Sequence, residues 1–429
     1  MKFVYADSLD FVNPQYDFLT DSHPGNREVY WDDKFSHEML DSPPYDGILV
    51  SRAIVGGYGG AGKYSESQNM RIKRIGAREF LRFGGEKFKD KWLMGDNGAF
   101  SYHKLEKPPY SIDDTLEYYL DCGFTHGFSL DHVIFEFENN TQDMAGGSDL
   151  AKERFAITQD NARKFLSASA NMPQPFEPIG VVQGWSPHSM AVAARSLVDM
   201  GYKFIAIGGM VPLKVHEIHS ILTSIRNQIA QSEGVSMHLL GFAKADHLHE
   251  FNSYGVTSFD STSPMLRAFK DDKNNYFHFG MNGRIEYCSA IRIPQANENV
   301  RLRNHVKTGL YEQERLVAME ADALQMIRKY DRGEATVSDA LDAILEYSVP
   351  LVDNGTMEPD RLRVLLEKKR SRYQETLEGR LWEKCPCAIC KHAGIETVIF
   401  RASNRNKRRG MHNLAVFHDY LGRLNKENE

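Results

Sequence analysis

The chain lacks any hydrophobic run long enough to cross a membrane. Hydrophobic residues make up 41% of its 429 residues, enough for a core, but no apolar stretch approaches the roughly 18 residues of a membrane span. No signal peptide is recognisable, so we expect a soluble, cytoplasmic protein with no membrane partner. An excess of positive charge is also missing. The formal net charge of −6 argues against indiscriminate nucleic-acid binding, which depends on cations that neutralise phosphates.

Cysteine is scarce, yet three of the five cysteines lie within six residues. The segment CPCAIC supplies three thiols, and MHNL supplies an imidazole about twenty residues later: Cys385, Cys387, Cys390 and His412. These groups can close a tetrahedral zinc site, whereas a CxC spacing is awkward for a disulfide. His418 competes with His412 for the fourth position, and His392 follows Cys390 too closely. Four protein ligands leave no open coordination position, so the predicted zinc is structural.

The first two thirds of the chain alternate short apolar runs with amphipathic segments, as βα units do. Eight candidate strands with helical segments between them predict an α/β fold, specifically a (β/α)₈ barrel: 46–55, 91–100, 124–133, 178–185, 203–210, 236–244, 256–261 and 275–281. A doubly wound open sheet would give similar strands. The spread of polar residues over six strand ends favours the closed barrel, where chemistry sits at the C-terminal ends of the strands.

Beyond the candidate barrel the sequence becomes charged and helical by period. One apolar stripe runs from Leu316 to Tyr330 and a second from Ala340 to Leu345, with Thr336 or Ser338 as the cap of the second helix. We therefore expect three regions. Residues 1–299 form the barrel core with an N-terminal extension, 300–382 a helical insertion, and 383–429 a zinc-binding element that completes the barrel.

Two basic runs stand out against the acidic balance of the chain. Residues 401–409 carry five cations and no acid, and residues 361–372 form a second basic stretch. Such runs are usually solvated faces. The first run lies inside the proposed zinc loop, and we expect the metal to direct it toward a nucleic-acid backbone.

Two carboxylates follow otherwise apolar strands. Asp96 lies in GDNGAF, and Asp260 lies in TSFDSTSP at the end of the seventh candidate strand. A lone aspartate after a strand is most often the N-cap of the next helix. Two carboxylates at one barrel mouth can instead divide glycosidic chemistry, because one attacks the anomeric carbon while the other moves protons.

Seven motifs in order resemble those of the tRNA-guanine transglycosylase superfamily: DNGAF, LDHV, VVQGW, AIGGM, LLGFAK, SFDSTSP and CPCAIC…HN. Each is weak alone, but the ordered set, which ends in a metal site, is specific. It spans about residues 46–420, interrupted by the helical segment. The N-terminal KFVYADSLDFVNP, together with DNGAF and VQGW, is most similar to the DpdA-like branch, whose members exchange guanine in DNA for a 7-deazaguanine.

The resemblance implies a role for each matched residue. Asp260 would be the nucleophile and Asp96 the general acid/base, with retention of the β configuration. Asp131 and Gln183 would bind the guanine-like edge of the base. The remaining implied contacts to the base are backbone amides at Gly208 and Gly209 and a sandwich formed by Phe100 and Leu240. The implied partners are DNA, a free 7-deazaguanine base carrying a 7-cyano group, and accessory proteins of a DNA-modification system.

Three departures from the tRNA enzymes bear on the polymer substrate. Trp185 stands where the family commonly has glycine, Arg267 comes two residues later than the family arginine, and the helical insertion has no obvious counterpart. We expect the insertion and Trp185 to hold opened DNA, since a duplex substrate must extrude its base.

Three alternatives stay open from the sequence. The same chemistry could act on tRNA. GYGGAGKY (57–64) nearly fits a phosphate-binding loop and would make the chain a nucleotide triphosphatase. However, Tyr64 stands where the loop has a serine or threonine whose hydroxyl binds Mg²⁺. A non-enzymatic zinc module that binds nucleic acid would leave Asp96 and Asp260 unexplained.

Overall fold

The chain folds into two compact units. The computed structural model describes residues 1–58, 62–141, 143–230, 233–242, 244 and 247–427. The barrel unit comprises residues 1–9, 45–263 and 424 onward, and the helical unit comprises residues 10–44 and 264–423. These bounds group the chain differently from the three consecutive ranges expected from the sequence.

Eight parallel strands close into a barrel, which confirms the predicted fold class. They run in chain order around the barrel: β1 (Lys2–Ala6), β2 (Gly47–Ser51), β3 (Trp92–Asp96), β4 (His126–Phe128), β5 (Glu177–Val182), β6 (Phe204–Ile207), β7 (Ser236–Leu239) and β8 (Val256–Ser261). Apolar side chains such as Val4, Leu49, Met94 and Phe128 fill the interior. The barrel is therefore a packed core whose functional surface lies at the strand ends.

The strand that closes the barrel is not the one expected. β1 pairs with both β2 and β8, and Val4 lies opposite Asp260 in the second of these ladders. The segment predicted as the eighth strand, 275–281, instead contributes β9 (Tyr276–Phe279), which forms an antiparallel hairpin with β10 (Ile285–Cys288) in the helical unit. The expectation for 275–281 was wrong because a short apolar strand does not reveal its pairing partner.

Helices follow the strands of the barrel unit where amphipathic segments predict them. They are α1 (Glu66–Ile75), α2 (Ile112–Cys122), α3 (Asp149–Ser169), α4 (Pro187–Met200) and α5 (Val215–Gln228), with short helices at Arg52–Val55, Ala77–Phe80 and Leu248–Phe251. Serine caps begin α1 to α4, and two of them show the pattern. The Ser111 hydroxyl accepts from the Asp114 amide, and the Ser186 hydroxyl accepts from the Ser189 amide.

The helical unit is built mainly from long helices. After α6 (Ser263–Lys270), these are α7 (Val300–Lys307), α8 (Gln313–Asp331), α9 (Val337–Val352), α10 (Pro359–Gly379) and α11 (Ser403–Glu427). Short helices lie at Val29–Asp32, Ser36–Met39, Leu381–Lys384 and Ala388–Ala393, and β11 (Ile291–Arg292) pairs with β12 (Ile399–Phe400). The predicted stripes are buried in α8 and α9, and Thr336 caps α9 as expected.

The basic run 401–409 does not form an exposed loop. Most of it belongs to the first turns of α11, and Arg405, Arg408 and Arg409 are fully buried. Arg405 pairs with Asp21 and Glu396, and Arg408 donates to the carbonyl oxygen of Asn13 at 2.8 Å. The expectation that this run faces a nucleic-acid backbone was therefore wrong. Its guanidinium groups tie segment 10–44 to the rest of the helical unit.

No helix in the described part of the chain combines the length and apolar character that a bilayer crossing requires.

Candidate active site

All eight residues predicted to act on the sugar or the base line one cavity of the barrel unit. The cavity has a volume of about 200 Å³. Each residue lies at or just beyond the C-terminal end of a strand, and together they are Asp96, Phe100, Asp131, Gln183, Gly208, Gly209, Leu240 and Asp260. A parallel barrel brings its strand ends to one face, so distant sequence positions converge there.

Asp260 is held by two donors on one carboxylate oxygen. Its Oδ1 accepts from the Gly241 amide at 2.8 Å and lies 3.1 Å from Nε2 of His238. His238 is fully buried on β7, and its Nδ1 lies 2.9 Å from the Ser258 hydroxyl. A neutral imidazole with its proton on Nε2 satisfies all of these contacts when Asp260 is ionised. Both contacts use Oδ1, and Asp260 itself lines the cavity.

His238 is the residue that sequence reasoning missed. It stands in the apolar strand SMHL, where a single histidine is most often a satisfied core residue. The strand period could have located it, because His238 and Leu240 are two residues apart and therefore share a face of the strand, and Leu240 lines the cavity.

Asp96 ends β3 and is partly buried in the cavity wall. Its Oδ2 accepts from the Gly98 amide at 3.0 Å. Gly98 has φ +74° and passes so close to Ala53 that a Cβ would lie 2.6 Å from the alanine methyl carbon, so this turn requires glycine. Burial, with a further contribution from the charge of Asp260, raises the pKa of Asp96 to about 6, although hydrogen bonds from Ser51 and Gly98 oppose the shift. A carboxyl group with that pKa can exchange protons near neutral pH.

Asp131 and Gln183 form a hydrogen-bonded pair at the cavity floor. Nε2 of Gln183 donates to Oδ2 of Asp131 at 2.8 Å, and Oε1 of Gln183 accepts from the Ile134 amide at 3.2 Å. Both side chains are buried. Burial, reinforced by the nearby Asp96, raises the pKa of Asp131 to about 7. The pair therefore lines the cavity with polar atoms whose positions are fixed by hydrogen bonds.

Gly208 and Gly209 differ in whether their backbone amides could donate to a bound base. A Cβ on Gly208 would lie 2.4 Å from Nε2 of Gln183, so this position must stay small. The Gly208 amide donates to the Val182 carbonyl oxygen at 3.0 Å. The expected role of that amide as a donor to the base was therefore wrong, because the sheet already uses it, while the role of Gly209 stays a prediction.

Phe100 and Leu240 belong to the rim of the cavity. The ring of Phe100 is 53% exposed and meets the exposed ring of Phe135 edge to face, with centroids 5.4 Å apart. Exposed aromatic rings at a cavity mouth offer a stacking surface, whereas core aromatics are covered.

The four predicted metal ligands converge in the helical unit. The ligand atoms of Cys385, Cys387, Cys390 and His412 all lie within 4.8 Å of one another. The sulfur atoms are 3.4, 3.5 and 3.3 Å from Nδ1 of His412. Bonds of about 2.3 Å to sulfur and about 2.0 Å to nitrogen at tetrahedral angles separate such donors by roughly 3.5 Å. The cluster can therefore hold a metal ion.

The HN motif orients this cluster. Nε2 of His412 lies 2.8 Å from the Phe277 carbonyl oxygen, which directs the Nδ1 lone pair at the sulfur atoms. Asn413 accepts from the Phe277 amide at 3.0 Å and donates to the Asn275 carbonyl oxygen. The hairpin strand β9 thus fixes the imidazole. His418 and His392 do not belong to the cluster of converging ligand atoms among the described residues.

The structure contradicts the expected role of Trp185 in holding opened DNA. Trp185 is 1% exposed and its Nε1 donates to the Ala145 carbonyl oxygen at 3.0 Å, so it is a core residue and cannot hold opened DNA.

The glycine-rich segment 57–64 resembles a phosphate-binding loop in sequence, and its residues 59–61 lie outside the described residues. Tyr64 is buried, and its hydroxyl donates to Asp7 at 2.7 Å.

A curated relative decides the family. The chain is 38% identical over 424 residues to a DNA-guanine transglycosylase of Salmonella montevideo, and the alignment covers 98% of this chain and 96% of the relative. No family model matches the chain. The chain belongs to the DNA-guanine transglycosylase family. It is thus a transferase of the tRNA-guanine transglycosylase superfamily, in the predicted DpdA-like branch, and this excludes the triphosphatase and non-enzymatic alternatives.

Replacing His238 with alanine should impair the family's transfer reaction without unfolding the barrel. Loss of one donor to Oδ1 frees the Asp260 carboxylate to rotate, and we expect a rate roughly 10- to 100-fold lower with a nearly unchanged KM. Steady-state kinetics and thermal melting check this. His126→Ala is the matched control, because His126 also sits in the barrel but lies beside Trp92 rather than a carboxylate. An equal loss in both variants would mean that His238 only fills space.

The stability of the protein should fall as pH rises through the titration of Asp131. Its folded-state pKa of about 7 exceeds the value of about 3.9 for an unfolded aspartate, so the folded state binds more protons between these values. Asp131→Asn, which keeps an acceptor for Gln183, should therefore melt roughly 2–4 °C above the wild type at pH 8 and level with it near pH 4. Asp121→Asn on the exposed side of α2 is the control. A pH-independent difference for Asp131→Asn would contradict the assignment.

Proposed function

We propose that this protein exchanges guanine in DNA for 7-cyano-7-deazaguanine through a covalent bond between Asp260 and the sugar. The observation that supports this most directly is that both carboxylates and the base-binding pair share one cavity. The relative that matches nearly the whole chain is named for the same polymer and base.

The reaction begins with attack of Asp260 on C1′ of the deoxyribose. The two donors to Oδ1 leave Oδ2 as the attacking oxygen. The glycosidic bond breaks with its electron pair going to guanine, which takes a proton from Asp96. A carboxyl group with pKa about 6 can supply that proton near neutral pH.

The second step reverses the first with a different base. Asp96, now ionised, removes the N9 proton of the incoming 7-deazaguanine. The base attacks C1′ and Asp260 leaves as a carboxylate. Two displacements at one carbon return the β configuration, as in retaining glycosidases.

Base selection rests on the pair formed by Asp131 and Gln183. A purine edge with adjacent N–H donors matches the carboxylate of Asp131, and the Gln183 amide holds that carboxylate in place. A base that lacks those donors would leave buried polar atoms unsatisfied, which is a strong ground for rejection. Phe100 and Leu240 cover the two faces of the bound base.

The DNA substrate must present an extruded guanine. A cavity of about 200 Å³ admits a base but no duplex, so the nucleotide leaves the stack before Asp260 reaches its sugar. Accessory proteins of a DNA-modification system can assist the opening. tRNA is the second candidate polymer, because the chemistry at C1′ is shared.

We propose that the ion in the Cys₃His cluster is zinc with a structural role. Three sulfur donors and one imidazole nitrogen suit zinc, and four protein ligands leave no position for a reacting water. The ion would join Cys385, Cys387 and Cys390 to α11 through His412. Three reduced thiols need a reducing compartment, which supports the cytoplasm as the place of the reaction.

The covalent step predicts a protein–DNA adduct that survives denaturation. Wild-type protein incubated with guanine-containing DNA should give a shifted band on a denaturing gel, and Asp260→Ala should give none. Asp96→Asn should keep DNA binding but slow base exchange roughly 10²- to 10⁴-fold, because proton transfer is lost. If Asp260→Ala formed the adduct in the same yield as the wild type, the assignment of Asp260 as the nucleophile would be refuted.

The same assay separates the two polymers. Labelled base should enter plasmid DNA and not bulk tRNA in parallel reactions. Incorporation into tRNA alone would transfer the proposed function to the tRNA reaction while leaving Asp260 and Asp96 in their roles.

Removal of the metal should disorder the helical unit and spare base binding. Elemental analysis should find one zinc per chain in the wild type, little in His412→Ala, and the wild-type amount in the control His418→Ala. The metal-free protein should lose DNA affinity while isothermal titration still detects 7-cyano-7-deazaguanine, because the base-binding residues lie in the barrel unit. Retention of zinc in His412→Ala with loss in His418→Ala would reverse the assignment of the fourth ligand.

A further inference from the structure

A second, larger concavity lies in the helical unit, and its lining is strongly cationic. The groove has a volume of about 1100 Å³. Six cationic side chains and one carboxylate, that of Asp272, line it. The cations come from the segment after α6, from β11, from the start of α7 and from α10: Lys273, Arg292, Arg301, Lys368, Lys369 and Arg372. This local excess of positive charge contrasts with the net charge of −6 for the whole chain.

None of these six side chains forms an ion pair within the part of the chain that the structure describes. Other cations of the same helix are paired, since Arg363 lies 3.2 Å from Asp360 and Arg370 lies 2.6 Å from Asp342. Lys368 and Arg372, four residues apart, also put like charges on one face of α10, an arrangement that disfavours the helix. Six unpaired cations against one carboxylate create a positive potential that an anion would relieve.

Several of the cations are held in place. Nη1 of Arg301 donates to the Leu351 carbonyl oxygen at 2.6 Å, and Nε of Arg372 donates to the Lys368 carbonyl oxygen at 3.2 Å. Nη1 of Arg372 is buried and has no hydrogen-bond partner among the described residues. The accessible part of the Arg372 guanidinium and those of Arg292 and Arg301 line the groove. A phosphate is the anion that best matches a guanidinium fork.

We propose that this groove binds the phosphate backbone of DNA. The inference rests on the proposed function for the choice of DNA, and on the groove itself for the choice of phosphate. A groove of this size, with cations from four elements of the fold, suits several successive phosphates rather than one small anion. Contacts of this kind carry no sequence information and supply affinity and orientation. The helical unit thereby acquires a role as a docking surface, in place of the buried run 401–409.

Salt-dependent DNA binding tests the groove. Full-length protein is titrated onto a fluorescent duplex over a range of NaCl concentrations. The groove variant is K368Q/K369Q/R372Q, and the matched control on the same helix is R361Q/R363Q/R370Q, which removes the same charge outside the groove. Each lost phosphate contact lowers the slope of log K against log[salt] by about 0.9. The groove variant should lose roughly tenfold or more in affinity and about 2 to 3 in slope, and the control less than about twofold in affinity with no change in slope.

The outcomes separate this inference from the proposed function. Equal losses in both variants, or a groove variant that binds like the wild type, would overturn the groove assignment even if base exchange in DNA is normal. A slope difference with no base exchange in DNA would overturn the proposed function alone. Competition by tRNA that displaces the duplex at a lower concentration than unlabelled duplex would overturn DNA as the occupant. K368Q/K369Q, which leaves the partly buried Arg372 intact, guards against misfolding and should show an intermediate slope.

Discussion

Three carboxylates share one small cavity at the mouth of the barrel, and the chemistry of the site follows from that crowding. Burial and mutual repulsion raise the pKa of Asp96 to about 6 and of Asp131 to about 7. Asp260 instead receives hydrogen bonds on Oδ1 from His238 and from the Gly241 amide, and these contacts fix the position of its carboxyl group. Environments that treat neighbouring carboxyl groups differently assign them different tasks. In the proposed reaction the fixed Asp260 is the nucleophile, and Asp96, with its raised pKa, is the acid–base group.

Closure of the barrel determines which residues meet. β1 completes the ladder between β2 and β8 and places Val4 beside Asp260. The fold class and the convergence of polar strand-end residues at one face could be predicted from the sequence, because buried parallel strands read as apolar runs whose C-terminal ends carry the polar residues. The roles of these residues come from the family resemblance and stay predictions. The identity of the closing strand could not, since Lys2–Ala6 and Tyr276–Phe279 have the same apolar character and only tertiary pairing distinguishes them. The role of His238 could not be predicted for a related reason. One histidine in an apolar strand gives no sign of the carboxylate that it contacts 22 residues later.

Charge along the chain proved the least informative signal. The cations of 401–409 looked like a solvated or phosphate-binding run, yet Arg405 pairs with Asp21, almost the whole chain away. Burial lowers the pKa of Arg409 to about 9, and four carbonyl and amide oxygens, among them that of Ala268, accept from it. By contrast, Lys368, Lys369 and Arg372 line a groove and form no ion pair among the described residues. Burial and pairing distinguish the two runs, and neither can be read from composition. The metal cluster was predictable because ligand spacing is itself a local geometric constraint.

The proposed reaction exchanges a base of DNA within one cavity, through a covalent bond between Asp260 and the sugar. Mass spectrometry of nucleosides tests it most directly, with DNA and tRNA digested separately from cells that carry the wild type, Asp260→Ala or no protein. The account predicts a 7-deazaguanine deoxynucleoside in DNA from wild-type cells alone. The same nucleoside in DNA of the Asp260→Ala cells, or a modified nucleoside found in tRNA and absent from DNA, would contradict it.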